Sequence, residues 1–305
     1  MRITVFGGSG FLGSHVCDKL AEAGHEVAVF DRSPSPWLQR GQRMITGDIL
    51  DEAAVRGAVE GAEAVFNFAG IADIGEANVL PVETVKANIL GNTVILEACR
   101  QAGVGRFLYA STVYVYSASG GFYRCSKQAS ELFIEQYHEN YGLPYTILRY
   151  GSLYGPRADL RNAIYRFVRQ AMTEGVIRYY GSAEALREYI HVEDAALASV
   201  EILRPEFANT RVVLTGHQAM RVGDVMKMIA EILGGGVRFE FFSEKSSAHY
   251  EITPYSFNPR MGRKYAPPLH MDLGQGVLRV VEDVHRELHP ELEDKDGLLV
   301  GRDNG

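Results

Sequence analysis

Short apolar runs alternate along the first half of the chain with longer segments in which apolar positions recur at a helical period. The apolar runs predict strands over residues 2–6, 26–30, 43–46, 64–68, 106–110 and 145–149. The periodic segments predict helices over residues 11–23, 51–60, 83–102 and 123–141. Strands that alternate with helices of this length form right-handed βαβ crossovers and a parallel sheet. We therefore predict an α/β fold with a Rossmann-type, doubly wound parallel sheet.

The alternation becomes irregular after residue 150. The later pattern predicts helices over residues 161–174, 193–204, 222–233 and 274–289, and strands over 187–192 and 211–215. We expect a first domain over residues 1–160, with returning segments at about 187–215. The pattern then predicts a smaller, discontinuous α/β domain formed by residues 161–186 and 216–290. Residues 291–305 are expected to be a flexible tail.

Composition is ordinary for a globular protein and excludes several classes of function. The 305 residues are 46% hydrophobic and 23% charged, with a net charge of −7 and no long basic run. Binding to nucleic acid or to a membrane surface is therefore not expected. The three cysteines are widely spaced, which favours reduced thiols in a cytoplasmic protein.

A metal site is not predicted. The cysteines form no Cys-x-x-Cys pair. His285 and His289 share one face of the helix predicted near the end of the chain, but the charged residues around them are typical of a solvated face.

A glycine-rich loop follows the first predicted strand. Gly7, Gly10 and Gly13 lie between an apolar strand and the start of a helix. In that order of elements, backbone N–H groups and the helix dipole face an anion, and the missing side chains let it approach closely. We therefore expect the loop to bind the diphosphate of a dinucleotide.

An acidic residue ends the second predicted strand. Asp31 lies about 20 residues beyond the glycines, where a carboxylate accepts both hydroxyls of the adenosine ribose and repels a 2′-phosphate. This favours NAD over NADP. The adjacent Arg32 could hold such a phosphate, and Asp31 could instead be a turn residue before Pro34, so both alternatives stay open.

A tyrosine and a lysine form the second chemical feature. Tyr123 and Lys127 share one helix face at a spacing of i, i+4. An ammonium near a phenol favours the phenolate, so Lys127 is expected to lower the pKa of Tyr123 and make it a general base for a hydroxyl. The helix directly follows a strand that ends in Ser111 and Thr112, where a hydroxyl could meet the same substrate oxygen.

Together these motifs resemble the extended short-chain dehydrogenase/reductases, in particular the NAD-dependent sugar-nucleotide epimerases and dehydratases. The resemblance covers residues 1–235. Besides the features above, it rests on Gly47-Asp48-Ile49, Asn67-Phe68-Ala69-Gly70, Asn88 and the segments 148–156 and 187–194. It implies a NAD-binding first domain and a substrate-binding second domain.

The resemblance also implies residue roles. Tyr123 is the catalytic acid/base, Lys127 holds the nicotinamide ribose, and Thr112 hydrogen-bonds the reacting hydroxyl. The residues implied to bind the cofactor are Tyr123 and Lys127, together with Gly7, Gly10, Phe11, Leu12, Gly13, Asp31, Arg32, Asp48, Ile49, Ala69, Gly70 and Asn88. Ser111, Tyr114 and Arg187 are implied to contact the substrate. Arg187 would bind its diphosphate, or else form a surface ion pair with Glu184 or Glu188.

The two positions after Thr112 bear on the type of reaction. Dehydratases of the family carry an Asp-Glu pair there and decarboxylating members a Glu, whereas this chain has Val113 and Tyr114. The remaining tyrosine, lysine and threonine, with a bound nicotinamide, suffice to remove a hydride from a carbinol carbon and return it. We expect a 4-epimerase of a nucleotide sugar acting through a transient 4-keto intermediate. The alternatives are an NAD(P)-dependent reductase and a nicotinamide-sensing regulatory protein.

Three further features leave alternatives open. Tyr114 either contacts the sugar or packs in the protein. The loop 117–122 is short, so the pocket is either more open than usual or closed by another element. The basic and aromatic region 249–265 either faces the nucleotide or packs on itself.

The resemblance implies a homodimer through helices 83–102 and 123–141. Apolar residues on them include Ile89, Val94, Leu132 and Ile134, although packing within one chain explains some of these equally well.

Overall fold

The computed structural model describes residues 1–216 and 219–242. The strands are β1 Arg2–Phe6, β2 Glu26–Asp31, β3 Gln42–Thr46, β4 Ala64–Asn67, β5 Arg106–Thr112, β6 Tyr145–Tyr150, β7 Ser152–Tyr154, β8 Val176–Tyr180, β9 Leu186–His191, β10 Thr210–Leu214, β11 Ala219–Arg221 and β12 Arg238–Phe242. The helices are α1 Phe11–Glu22, α2 Glu52–Val59, α3 Ile74–Val79, α4 Pro81–Thr84, α5 Gly91–Ala102, α6 Gly121–Tyr141, α7 Ala163–Glu174, α8 Val192–Glu201 and α9 Val222–Ile232. A π-helical turn spans Val85–Leu90, and 3₁₀ turns span Val113–Tyr116 and Pro205–Phe207.

Seven parallel strands form the central sheet, in the order β10-β6-β5-β4-β1-β2-β3. The predicted α/β fold with a Rossmann-type sheet is confirmed. The direction of winding reverses between β1 and β4, and ligands of such sheets bind in the crevice beyond the carboxyl ends of the strands at this point. The loops that follow β1, β2, β4 and β5 therefore define where the site lies.

The sheet is buried on both faces, which explains its nearly continuous apolar strands. Alternate side chains of β1 enter different cores: Ile3 and Val5 pack with α1 and α8, whereas Phe6 packs with α2, α5 and α6. Phe6 and Phe30 of the second core lie 4.7 Å apart between ring centroids. The two cores hold the helices that carry the site firmly against the sheet.

A smaller mixed region follows β6. Strand β9 pairs in parallel with β7 and antiparallel with β11, and β8 pairs with β12. A third apolar cluster, which includes Phe167 and Met226, joins α7, α9 and these strands. Strand β10 returns to the edge of the central sheet, and α8 packs on α1. The predicted domain boundaries stay a prediction.

One helical prediction needs correction. The single helix expected over residues 83–102 is α4, the π-helical turn and α5 in succession, and the short helix α3 precedes it. Pro81 starts α4 and so breaks the helical run after α3.

The predicted helix 274–289 with His285 and His289, the region 249–265 and the tail 291–305 lie outside the described residues. No helix in the described ranges is long and apolar enough to cross a membrane.

Candidate active site

The glycine loop joins β1 to α1 through backbone packing. Gly7 has a φ of 74°, and a Cβ atom there would lie 2.5 Å from the backbone nitrogen of Ala69. A Cβ atom at Gly13 would lie 2.2 Å from the carbonyl oxygen of Gly7. Gly10 is the N-cap of α1 and offers no capping side chain, and the first turn of α1 holds no acidic residue. The N–H groups at the start of α1 thus face a position suited to a diphosphate, in which Phe11 and Leu12 are the predicted donors.

The Asp31 side chain lies beside this loop at the end of β2. Its carboxylate accepts hydrogen bonds from the backbone N–H of Ser9 at 3.1 Å and of Ser33 at 3.3 Å. Because a carboxylate has about four lone-pair sites, these two bonds leave acceptor capacity for ribose hydroxyls. Arg32 is exposed next to it. The structure thus places Asp31 against the loop and leaves its role with the ribose a prediction.

The predicted adenine residues follow β3. Asp48 is exposed, and its carboxylate accepts the N–H of Leu50 at 2.9 Å. Ile49 is buried against Gly91, where a Cβ atom would lie 2.5 Å from the Ile49 Cδ1 atom. Ile49 therefore packs α5 against the end of β3, and its contact with adenine stays a prediction.

The loop after β4 is held by Asn88 from the π-helical turn. Its Oδ1 accepts the N–H of Ile71 at 2.7 Å, and its Nδ2 donates to the carbonyl oxygen of Ile71 at 3.0 Å and to the Ser126 Oγ at 2.8 Å. Gly70, with a φ of 142°, lies so close that a Cβ atom would be 2.5 Å from the Asn88 Oδ1. Asn88 thus joins the loop that carries Ala69 and Gly70 to α6. Its polar atoms are bonded within the protein, so its contact with the cofactor stays a prediction.

Thr112, Tyr123 and Lys127 meet at the carboxyl end of β5. Thr112 and Lys127 are buried, and Tyr123 is half-buried. The Lys127 Nζ donates to the carbonyl oxygen of Ala110 at 2.7 Å and lies 4.7 Å from the centroid of the Tyr109 ring. The three side chains that the sequence singles out are therefore brought together by β5 and the first turns of α6.

The acid/base state of Tyr123 depends on its burial. Burial raises the pKa of Tyr123 to about 12, and a hydrogen bond with Thr112 offsets this only in part. The Lys127 Nζ lies 5.9 Å from the Tyr123 ring centroid and is bonded to β5, so the lowering of the Tyr123 pKa that was expected from Lys127 stays a prediction. Burial also lowers the pKa of Lys127 to about 8, although Glu131 raises it. At neutral pH Tyr123 therefore holds its proton.

Ser111 forms a hydrogen bond within the protein. Its Oγ donates to the Glu131 Oε1 at 2.5 Å inside the protein. Glu131 is also ion-paired with Arg149. A substrate contact by Ser111 stays a prediction, whereas its bond to α6 is part of the structure.

The start of α6, after the short loop, is held by helix α3, which the pattern did not predict. The Oδ1 of Asn78, on α3, accepts the N–H of Phe122 at 3.2 Å, and a Cβ atom at Gly121 would lie 2.1 Å from the same oxygen. Asn78 thus holds the start of α6 against α3, and whether the pocket is more open than usual or closed by another element stays a prediction. The Tyr114 ring meets the Tyr123 ring edge-on, with centroids 6.5 Å apart. Tyr114 thus packs beside the catalytic face, and a sugar contact stays a prediction.

Arg187 lies on β9 of the smaller mixed region. It is buried and donates to the carbonyl oxygen of Leu186 at 2.8 Å. Glu184, one of its possible partners, forms an ion pair with Arg221 at 3.0 Å. Its contact with a substrate diphosphate stays a prediction. Among the described residues, no group of three His, Cys, Asp or Glu side chains gathers in a way that could hold a metal ion.

Residues 3–214 match the family described as the NAD dependent epimerase/dehydratase family. The chain belongs to this family. The resemblance read from the motifs is therefore confirmed, and the family is NAD-dependent. The tight glycine loop and the uncapped start of α1 fit that cofactor.

Individual members with different activities are similar to this chain. The structure of the UDP-glucose 4-epimerase of Thermus thermophilus, in complex with NAD, is 26% identical, covers 86% of this chain and 95% of that protein, and has a TM-score of 0.77. A dTDP-glucose 4,6-dehydratase from an Actinoplanes strain is 28% identical over 227 residues, which are 64% of this chain and 70% of the relative. A 2-alkyl-3-oxoalkanoate reductase from Stenotrophomonas maltophilia is 43% identical over 114 residues, 37% of this chain and 33% of the relative. The family model gives the family, and these likenesses do not select one reaction within it.

Several residues around this family site were not predicted from the sequence. Asn78 and Glu131 contact or support the elements that carry Thr112, Tyr123 and Lys127 but belong to no predicted motif, and Arg149 lies in the segment 148–156 without a predicted role. A signal existed for two of them: Arg149 is a charged residue inside an apolar strand, which requires a partner, and Glu131 follows Lys127 at i+4.

Proposed function

We propose that the protein is an NAD-dependent 4-epimerase of a nucleotide diphospho-sugar. The observation that carries the proposal is the placing of Thr112, Tyr123 and Lys127 together beside Val113 and Tyr114. Elimination of water and loss of a carboxyl group are steps for which the resembling members use a carboxylate after the threonine. With a bound nicotinamide as the hydride acceptor, the three-residue set is sufficient for removal and return of a hydride at one carbon.

In this proposal each residue has a defined task. Tyr123 moves the proton at the O4 atom of the sugar, and Thr112 orients that oxygen through its hydroxyl. Lys127 holds the nicotinamide ribose and adds a positive charge near the phenol. NAD, when bound, supplies the hydride acceptor. Arg187 binds the substrate diphosphate as a charge-assisted donor.

A panel of nucleotide sugars followed by proton NMR tests this function. We expect UDP-glucose or another member of the panel to equilibrate with its C4 epimer at catalytic NAD, without accumulation of the reduced coenzyme. Stoichiometric consumption of added reduced coenzyme, with one reduced product, would contradict the proposal and support a reductase.

A reductase is the second candidate, because the reductase relative shares 43% identity over its matched segment. The same tyrosine and lysine would serve it, with Tyr123 donating its proton to a carbonyl oxygen. A reductase must release its coenzyme in every turnover. Protein that has turned over substrate can be passed through gel filtration and its bound coenzyme measured. Coenzyme that stays bound to the protein therefore favours the epimerase.

We propose NAD as the cofactor of this chain, with Asp31 as the ribose ligand. Its support is the position of the carboxylate beside the glycine loop. Asp31→Asn is expected to weaken NAD binding about 10-fold or more and to reduce the preference for NAD over NADP. Calorimetric titration with both coenzymes measures this. An unchanged preference for NAD over NADP would show that Asp31 serves only as a turn residue.

We propose a homodimer through α5 and α6. Large apolar side chains on this side of the molecule are exposed, among them Leu90, Phe122, Leu132 and Phe133. Ile134 lies in the core instead, and Val94 packs against it. Light scattering after gel filtration is expected to give twice the chain mass, and Leu132→Asp should shift it towards the monomer. A monomeric wild-type protein at micromolar concentration would contradict the proposal.

A cytoplasmic location also stays a proposal.

A further inference from the structure

The Glu131 carboxylate is a buried acid that the proposed mechanism does not use. It lies on α6 one helical turn beyond Lys127, and only 5% of the residue is exposed. Its oxygens accept three hydrogen bonds: from the Ser111 Oγ at 2.5 Å, from the Arg149 Nε at 3.0 Å and from the Arg149 Nη2 at 2.5 Å. These bonds satisfy the charge of Glu131 within the protein.

Arg149 extends this contact to the turn beside Tyr123. Its Nη1 donates to the Tyr116 hydroxyl at 2.5 Å, and its guanidinium carbon lies 4.7 Å from the centroid of the Tyr116 ring. Tyr116 ends the 3₁₀ turn that starts directly after Thr112 and carries Tyr114. One carboxylate thus connects α6, the end of β5, β6 and the 3₁₀ turn.

These contacts surround the elements that hold the three catalytic residues. Ser111 is the residue before Thr112, so its bond to Glu131 fixes the end of β5 against α6. Tyr123, Lys127 and Glu131 follow one another at intervals of four residues along α6, hence on one face. A shift of β5 against α6 would therefore change the separation of the Thr112 and Tyr123 hydroxyls.

We propose that Glu131 is a positioning residue of the active site: it fixes the ends of β5 and β6 against α6 and supplies the negative charge that faces the Lys127 ammonium. The catalytic part of this inference rests on the proposed function. The positioning and the charge can be tested without a substrate.

The charges around Lys127 support this role. The groups that face its ammonium are Tyr123 and Glu131 on α6, and the Tyr109 ring with the Ala110 carbonyl oxygen on β5. Burial lowers the pKa of Lys127, and Glu131 raises it. On the far side of the carboxylate, hydrogen bonds to Glu131 and Tyr116 outweigh burial and raise the pKa of Arg149. Glu131 therefore favours the charged form of Lys127 and pairs with the guanidinium of Arg149.

An NMR titration of Lys127 tests the proposal independently of turnover. The protein, with and without added NAD, is labelled with carbon-13 at the lysine Cε, and its seven lysines are followed against pH. The spectrum of Lys127→Met assigns the signal. Glu131→Gln is expected to lower the pKa of Lys127 by about one unit, because a nearby opposite charge is removed.

Glu135→Gln is the matched control. Glu135 lies one turn further along α6 and is likewise paired with an arginine, Arg211, but it is more exposed. Glu135→Gln should leave the Lys127 titration unchanged.

If UDP-glucose or another sugar is turned over, Glu131→Gln should reduce kcat about 10-fold with little change in KM. It should also move the alkaline limb of the pH profile of kcat to lower pH.

A double variant keeps the test decisive if the single variant does not fold. Glu131→Gln leaves Arg149 buried without its counter-ion, whereas Glu131→Gln with Arg149→Met removes both charges. In the double variant the pKa of Lys127 should lie below its wild-type value, because the nearer charge, that of Glu131, is lost. The decrease should be smaller than in the single variant, because the positive charge of Arg149 is also lost. An unchanged Lys127 titration in a folded variant, or loss of the fold in both variants, would overturn the proposal. Absence of epimerase activity with a shifted Lys127 would refute only the proposed function.

Discussion

The cofactor end and the substrate end of the candidate active site are built by different means. At the cofactor end the backbone leaves no room for side chains, as the 2.2 Å separation between a Cβ atom at Gly13 and the Gly7 carbonyl oxygen shows. At the substrate end, side chains from separate elements hold the geometry, as when Asn78 bonds the start of α6 across 44 residues. The first end is specified by a local motif, and the second depends on contacts between distant parts of the chain.

The largest expected effect separates catalysis from cofactor binding. Tyr123→Phe removes the only group proposed to move the proton, so kcat should fall by about 10³-fold or more. The dissociation constant of NAD should change by less than about twofold, since the glycine loop is untouched. Steady-state kinetics and calorimetry measure the two quantities. Tyr141→Phe, an exposed tyrosine on the same helix, should keep full activity. Activity retained in Tyr123→Phe would refute the mechanism.

An added methyl group tests the close backbone packing at the cofactor end against an open position elsewhere in the same domain. Gly13→Ala should weaken NAD binding at least about 10-fold and lower the free energy of unfolding by about 1–3 kcal/mol, because the added Cβ meets backbone atoms. Gly57 lies inside α2 with nothing within 4 Å of its added Cβ atom. Gly57→Ala should therefore raise the free energy of unfolding by about 0.5–1 kcal/mol. Urea unfolding of both variants gives the comparison, and equal effects would contradict it.

The substrate end should show the cost of burying Lys127. The pKa of Lys127 is about 8 in the folded protein, below its usual value, so folding disfavours the protonated form of this side chain. Below pH 8 this penalty is fully present, and it disappears as the pH rises through the ordinary lysine value. Lys127→Met should therefore raise the free energy of unfolding by about 1–3 kcal/mol at pH 7 while abolishing activity.

Urea unfolding between pH 7 and pH 10 provides the check. The advantage of Lys127→Met should shrink as the pH rises. Lys86→Met, at an exposed lysine paired with Glu83, should stay within about 0.5 kcal/mol of the wild type. A destabilised Lys127→Met at pH 7 would show that the bond to Ala110 outweighs the burial of the charge.

The smallest effect tests the contact between α3 and α6. Asn78→Ala removes the acceptor for the Phe122 N–H and should lower the free energy of unfolding by about 1 kcal/mol. Asn78→Asp keeps an acceptor oxygen and should lose less. Thermal unfolding of the pair measures the difference. Equal losses in both variants would show that the hydrogen bond is not what holds α3 there.

The sequence predicts the two ends unequally. Strands and helices with strong periodicity, the glycine loop and the Thr112, Tyr123 and Lys127 set follow from local pattern, and the family match confirms the fold they imply. Helix α3 and the π-helical turn do not, because their short lengths give no period to detect. The bond between Ser111 and Glu131 spans 20 residues and depends on the register of β5 against α6, which sequence pattern alone does not define.

The pKa of Tyr123 shows the same limit. The i, i+4 spacing places Lys127 near the phenol, but the structure bonds its ammonium to the Ala110 carbonyl oxygen and buries both groups. Spacing gives proximity, and the direction of a pKa shift depends on burial, which only the packed structure supplies.

Label retention during turnover tests the central claim most directly. A nucleotide sugar that the protein turns over, with UDP-glucose as the first probe, is prepared with deuterium at C4 and incubated with the protein and catalytic NAD. Reversible hydride transfer within one site predicts a C4 epimer that keeps its deuterium at C4, as read by NMR and mass spectrometry. A reduced product, or deuterium found in the free coenzyme in proportion to product, would contradict the account.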